Sequence, residues 1–375
     1  MPATTLVHHI GQLVTPTGNG AVPGGGAERL AIHKDVEILL EGDRVGAILP
    51  AGSGARADRE VDAQGGIVLP GLVDACLTFD RIRGATDSAV RRRALAALGS
   101  VAALGTTAVD LRMSHRDGSP GLEEGLALAS ELGHADLLNV SVSAFSAPSE
   151  TPSPGHEDRV TSLVGQTIPA IRRARRVATF AVACGAAGYT RKEALVALRA
   201  ARGAGLELRI ESCGSVAEAV GVAGVVELTA IDRVRHVSHD EARALRDAGV
   251  IAVLEPGRPL IFDEAWPSAR PLLDAGVPVA LASYADLIMG GVASLWTGVA
   301  AAVKRMGMSL NEALCAVTLN GAAATHRAHV AGTVEVGKSA DLVILDLDDY
   351  RDIPRFAVGM PVSHVLRAGR EVAAR

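Results

Sequence analysis

The stretch Gly65–Asp80, GGIVLPGLVDACLTFD, reads as a strand that carries a side chain to a site. Ile67, Val68 and Leu69 form one apolar run, Pro70-Gly71 interrupts it, and a second run ends at Asp74. From Gly66 onward this rhythm repeats. The strand candidates are IVLPGLVDAC, TTAVDLR, DLLNVSVSAF, VATFAVAC, LELRIESC, DRVRHVS, VIAVLEPG and VPVALASYAD. Helical runs such as DSAVRRRALAALGSVAAL, RKEALVALRAARGAG and DEARALRDAG separate them. Near-continuous apolar strands alternating with amphipathic helices call for a parallel sheet with helices outside. Repeated eight times, the unit predicts a closed barrel. A doubly wound open sheet is the alternative, but no Gly-rich phosphate fingerprint follows the first strand.

The two ends read differently. TTLVHHIGQLVT is a strand region, and DVEILLEGDRVGAILPAG is a hairpin turning at EGDR. After helices expected at Leu310–Val317 and Gly321–His329, strand-and-turn style returns in GTVEVGKSADLVILDLDDY and PVSHVLRAGREV. The expected fold class is therefore α/β. It comprises a (β/α)8 TIM-like barrel over 66–330 and a small β-sandwich domain built from both chain termini, 1–65 and 331–375.

The 375 residues are 48% hydrophobic and 21% charged, enough to bury a large core. The net charge of -5 offers no basic footprint for nucleic acid or an anionic membrane. An aromatic content of 3% argues against base-stacking platforms. Cys76, Cys184, Cys213 and Cys315 are widely spaced and form no CxxC pair, so reduced thiols in a cytoplasmic protein are expected. The start MPATTLVHHIGQLVT lacks a signal-peptide pattern, and no run suits a membrane span.

Several segments carry a family resemblance. VLPGLVDA resembles the first barrel strand of the metal-dependent amidohydrolase superfamily, and GTVEVGKSADLVILD its C-terminal hairpin. IGQLVT, GVPVALA, SLNEALCAVTLNGAAA and YRDIPRFAVGMPVSHVLRAGREV are similar to imidazolonepropionases, which open the imidazolone ring in histidine breakdown. The resemblance implies an HxH pair after strand one, a histidine after strand five, often one after strand six, and an aspartate after strand eight. Together these hold a metal that activates water.

This chain departs from that set. The HxH positions fall on Cys76 and Thr78, the strand-five histidine on Glu211, and the strand-eight aspartate on Tyr284, with Asp286 two residues on. Cys213 stands where imidazolonepropionases carry a catalytic carboxylate, and Phe145-Ser146 where their strand-three loop has its histidine. His236, in DRVRHVS, is read as the retained strand-six histidine. The loop after Asp80 is short, and Arg81 or Arg83 is the counterpart of the family's substrate-binding arginine.

The expected site is accordingly metal-free, with no cofactor. His236 oriented by Glu211 is the candidate base, Cys213 or Cys76 the nucleophile, and Tyr284 the donor to an oxyanion, with Asp286 and Asp74 orienting them. Substrate contacts are expected from Cys76, Thr78, Arg81, Arg112, His115, Phe145 and Ser146. Two alternatives stay open. In one, these residues merely fill a former metal pocket in a non-catalytic binder. In the other, Cys76, Glu211, Cys213 and His236 hold a remodelled zinc. The partner expected is a small-molecule substrate or ligand, without nucleic acid or membrane; a homodimer is the assembly considered. His8 and His9 read as surface residues of the terminal sheet, Cys184 as packing, and Arg172–Arg176 as a helix-end cluster.

Overall fold

The computed structural model describes residues 3–25, 30–79, 88–116, 122–148, 156–175, 177–286 and 290–374. Seven strands precede the barrel: β1 (Thr4–His8), β2 (Gln12–Pro16), β3 (Leu30–His33), β4 (Val36–Glu41), β5 (Arg44–Pro50), β6 (Arg59–Asp62) and β7 (Ile67–Pro70). The barrel strands are β8 (Leu72–Phe79), β9 (Thr106–Arg116), β10 (Asn139–Ala147), β11 (Val177–Gly185), β12 (Glu207–Cys213), β13 (Ala230–Asp232), β14 (Ile251–Leu254) and β15 (Val279–Leu281). Short strands β16 (Ala285–Asp286) and β17 (Gly290–Gly291) follow, and β18 (Leu342–Leu345), β19 (Val362–Arg367) and β20 (Arg370–Ala374) end the chain.

Strands β8 to β15 run parallel in sequence order. The last segment closes the ring. Val279–Leu281 pairs with β14, and Asp286, a few residues on, pairs with Thr78 of β8. Between them Tyr284 takes a left-handed φ of 61°, which breaks the eighth strand at the mouth. The expected α/β barrel is therefore present.

The opening apolar run is not one strand. Ile67–Pro70 pairs with β18 and β2 in the six-stranded terminal sheet β20-β19-β18-β7-β2-β3, and Leu72–Phe79 pairs in the barrel. Gly71 makes the crossing: a Cβ there would lie 2.1 Å from Thr107 Oγ1, so only glycine fits. TTLVHHIGQLVT is likewise divided. Its β1 half belongs to the four-stranded sheet β5-β4-β1-β6 and its β2 half to the six-stranded one. Strands from both termini thus share the six-stranded sheet, and the two sheets enclose a separate core that includes Val7, Leu13, Ile38, Val68, Leu342 and Ile344.

The helices expected near the C-terminal end are shorter than read, Leu310–Ala316 and Leu319–Ala324. Among the described residues no helix is long and apolar enough to cross a membrane.

Candidate functional site

The C-terminal strand ends hold an ionic network where an apolar barrel core ends. Asp110 and Arg112 lie two apart on β9, and Arg209 and Glu211 two apart on β12, so each pair points to one side of its strand, into the barrel. In the lower layer, Arg209 is 1% exposed. It donates to the Ala75 carbonyl (3.0 Å) and Asp110 Oδ2 (3.0 Å), and grips Asp232 through both Nε and Nη2. Ser143 donates to the same Asp110 oxygen at 2.7 Å.

In the upper layer, Arg112 bridges Glu211 Oε2 (2.9 Å) and Asp232 Oδ2, with its guanidinium over the Phe145 ring at 5.1 Å. Arg233 reaches Glu211 Oε1 at 2.7 Å and lies 3.5 Å from Glu255 Oε2. Glu255 Oε2, Arg233 Nε and Arg112 Nε are buried with no hydrogen-bond partner. On the rim, Arg258 is clamped by Glu264 (3.0 and 2.9 Å) and stacks on Phe262 and Tyr284 at 4.9 and 5.0 Å.

Burial opposes every charge here, and the pairing decides the outcome. Asp232 is held below the usual carboxylate range because Arg112 and Arg209 outweigh its desolvation. Burial likewise works against the charge of Arg112, but Asp232 and Glu211 keep it above its ordinary value. Glu211 is pushed up by burial despite Arg233 and Arg112. The Cys76 thiol is driven far up by burial, and the Cys213 thiol is pushed up to about 12 by burial and the adjacent Glu211. Asp74, buried and accepting from Ser283 Oγ at 2.5 Å, is raised to about 6, mainly by desolvation.

The expected residues divide into those at the mouth and those away from it. Cys76, Thr78, Arg112, Phe145, Glu211, Cys213, Tyr284 and Asp286 lie on or beside strand ends. Cys213 Sγ sits 3.7 Å from Glu211 Oε1. Ser146 is buried and bonds Tyr189 (3.0 Å) rather than facing a ligand. His115 is on β9 opposite Ser146, and nothing is described of its side chain. Arg81 and Arg83 lie outside the described residues.

His236 requires a correction. The expected strand DRVRHVS stops early, because β13 ends at Asp232. Arg233 takes a left-handed φ of 55°, and the chain runs on as a loop to Ser238, whose side chain and Glu241 cap the next helix reciprocally. His236 therefore sits four residues past the strand, exposed, while Arg112 and Arg233 hold Glu211. The strand-six end belongs to Arg233. The His236–Glu211 base pair and the four-residue Cys76/Glu211/Cys213/His236 zinc set are not assembled.

The described residues of this mouth do not fit a divalent metal. Two guanidinium groups already occupy Glu211, two occupy Asp232, and the Cys76 thiol resists ionisation. Among the described residues, the only group of three ligand side chains with atoms within 4.8 Å of one another is His8, His9 and Asp62, in the terminal sheet.

Reading the strands by alternation would have found the network. Asp110/Arg112 and Arg209/Glu211 are charged pairs at i, i+2 inside apolar barrel strands, an arrangement that pays only if the charges meet. Glu255 and Arg258, in VLEPGR after strand seven, carried no such signal.

A closed parallel barrel flanked by sheets drawn from both termini, with its polar groups at the strand ends, is the architecture of an amidohydrolase-class protein. Residues 185–372 match the Amidohydrolase family, and the chain belongs to it. Within that family it is imidazolonepropionase-like. It is 31% identical to the imidazolonepropionase of Salinispora arenicola, over 98% of both chains. It is 30% identical to that of Cutibacterium acnes, over 97% of this chain and 96% of the other. Two solved structures share the fold. One is an amidohydrolase from a Sargasso Sea environmental sample (TM-score 0.75, 20% identity, covering 99% of this chain and 93% of that one). The other is E. coli guanine deaminase (0.74, 16%, all of both chains).

Proposed function

We propose that this amidohydrolase-fold protein is a small-molecule enzyme that works without the family's divalent metal. The observation that carries the reading is the Arg112 guanidinium bridging Glu211 and Asp232 at the strand ends. A fixed organic cation stands among the carboxylates that a metal would need. It polarises and orients but cannot coordinate water, so metal-hydroxide attack is replaced by acid–base chemistry.

The residues divide the work as follows. Arg233, whose side chain is 30% exposed, is the cation that can meet an oxyanion at the mouth. Tyr284 on the rim is held in its protonated form by burial, which suits it to donate. Glu255 and Glu211 are the carboxylates beside the reacting group, and Asp286 and Thr78 line the closing strands. Ring opening of a cyclic amide, its reverse with loss of water, or a related addition–elimination matches these groups. The thiols contribute packing rather than a nucleophile, because Cys213 at about 12 and Cys76 higher still hold almost no thiolate near neutrality.

The test is turnover or binding over a panel of cyclic amides and ureides, including imidazolonepropionate, by chelator-stripped protein. The expected result is a substrate whose turnover is unchanged by stripping, with imidazolonepropionate opened more slowly than about 1 per second. Activity lost on stripping and restored by zinc overturns the reading. Stoichiometric binding without turnover across the panel instead favours a non-catalytic binder.

A further inference from the structure

We propose that His8, His9 and Asp62 form a site for a zinc-class divalent cation in the terminal sheets, separate from the barrel mouth. Strands β1 and β6 pair in parallel, with His8 in register with Asp62, which sets these side chains beside one another. In an extended chain the next side chain would point to the opposite face. His9 does not, because its φ is 51°, and the two imidazoles meet edge to face with centroids 4.4 Å apart.

This turn is held from several sides. Ala63 N donates to the His8 carbonyl at 2.9 Å, Gly65 N to the His9 carbonyl at 2.7 Å, and Gly11 N to the Gly66 carbonyl at 2.9 Å. Asp62 Oδ1 accepts from Gln64 N at 2.8 Å and lies 3.0 Å from His9 Nδ1. Glu60 Oε2 stands 3.8 Å from His8 Nε2 and offers a further carboxylate. Both imidazoles are therefore paired with carboxylates, and the ligand atoms of His8, His9 and Asp62 all lie within 4.8 Å of one another.

Two imidazoles and one or two carboxylates suit zinc and its first-row neighbours rather than calcium or magnesium. The half-buried to exposed position leaves a coordination place for water or an outside group. Because β6 is the edge strand of its sheet, a bound ion would also pin that edge to β1.

The experiment is zinc titration of the full chain against a chromogenic chelator, with melting temperature read in parallel. His9→Gly is the main variant. Glycine is at ease at a positive φ, so this change removes a ligand without threatening the fold. The wild-type chain should take up one zinc and melt at higher temperature as zinc is added. His9→Gly should weaken binding by more than roughly tenfold and lose the thermal response while remaining folded without zinc. A Cys76→Ser/Cys213→Ser variant should bind as the wild type does. Absence of zinc uptake by the wild type, binding that survives His9→Gly, or binding lost with the two cysteines overturns the proposal. None of these readouts uses catalysis, so the outcome is independent of the metal-free reading of the mouth.

Discussion

Arg112 and Glu211, 99 residues apart in the chain, meet at 2.9 Å inside the barrel, and both are almost fully buried. The contact is possible because strands β9 and β12 each aim an i, i+2 charged pair at the barrel axis. It stands where strand-five chemistry is expected in the imidazolonepropionase resemblance, and it ties Glu211 to a guanidinium.

Removing Arg112 should be severe. Arg112→Ala leaves Glu211 and Asp232 short of a cation in a dry site, and breaking a buried pair from one side costs about 3–5 kcal/mol. Urea unfolding of the variant should show a loss of that order. Glu211→Gln added to Arg112→Ala should recover part of it, since the stranded charge is then smaller. A loss below about 1 kcal/mol, the range of exposed pairs, would contradict the network.

Asp74 makes a pH prediction of opposite sign to the common carboxylate case. Its folded pKa of about 6 lies above its ordinary value of 3.8. Between these values the folded state binds more protons than the unfolded one, so stability falls as pH rises through that window. The loss is complete above about pH 6 and on the order of 3 kcal/mol. Asp74→Asn keeps an acceptor for Cys76 N and Ser283 N, and its amide can donate to Ser283 Oγ. The variant's urea midpoint should be flatter between pH 4 and 6 and higher than wild type at pH 7. An unchanged slope would show that Asp74 is not the titrating group.

The thiols should be sluggish. With the Cys213 pKa at about 12, the thiolate fraction at pH 8 is on the order of one in ten thousand, against roughly a quarter for an ordinary cysteine. Iodoacetamide labelling of the folded chain, followed by mass spectrometry, should find Cys76, Cys184 and Cys315 protected by burial. Cys213 should label slowly, at a rate rising about tenfold per pH unit. Rapid labelling of Cys213 at pH 7 would restore it as a nucleophile candidate.

Arg233 and His236, both past the end of β13, separate by exposure and contact. His236→Asn should leave turnover on a responsive substrate within about twofold, because its side chain is exposed and outside the network. Arg233→Ala should lower it by roughly 100-fold or more, the scale of losing a charge-stabilising donor. The reverse ranking would return the base role to His236 and show that the loop closes over the mouth in solution.

Much of the architecture is local information. Apolar strands alternating with amphipathic helices point to parallel pairing under helices, because such strands need both faces covered and the helices between them supply the outer layer. Capping boxes at Thr190, Ser238 and Ser309 start their helices where the sequence punctuates them. The substitutions at Cys76, Thr78, Glu211 and Tyr284 are equally legible, since a residue's type is read directly. What took their place was decided only by the fold. A strand's end depends on backbone angles, and the left-handed turn at Arg233 moved His236 out of the mouth although the β-branched Val234 and Val237 favour extended chain. Charges read singly look like solvated residues. Only closure of the barrel brings Asp110, Arg112, Arg209, Glu211 and Asp232 from three strands into contact, and burial there makes their pairing compulsory.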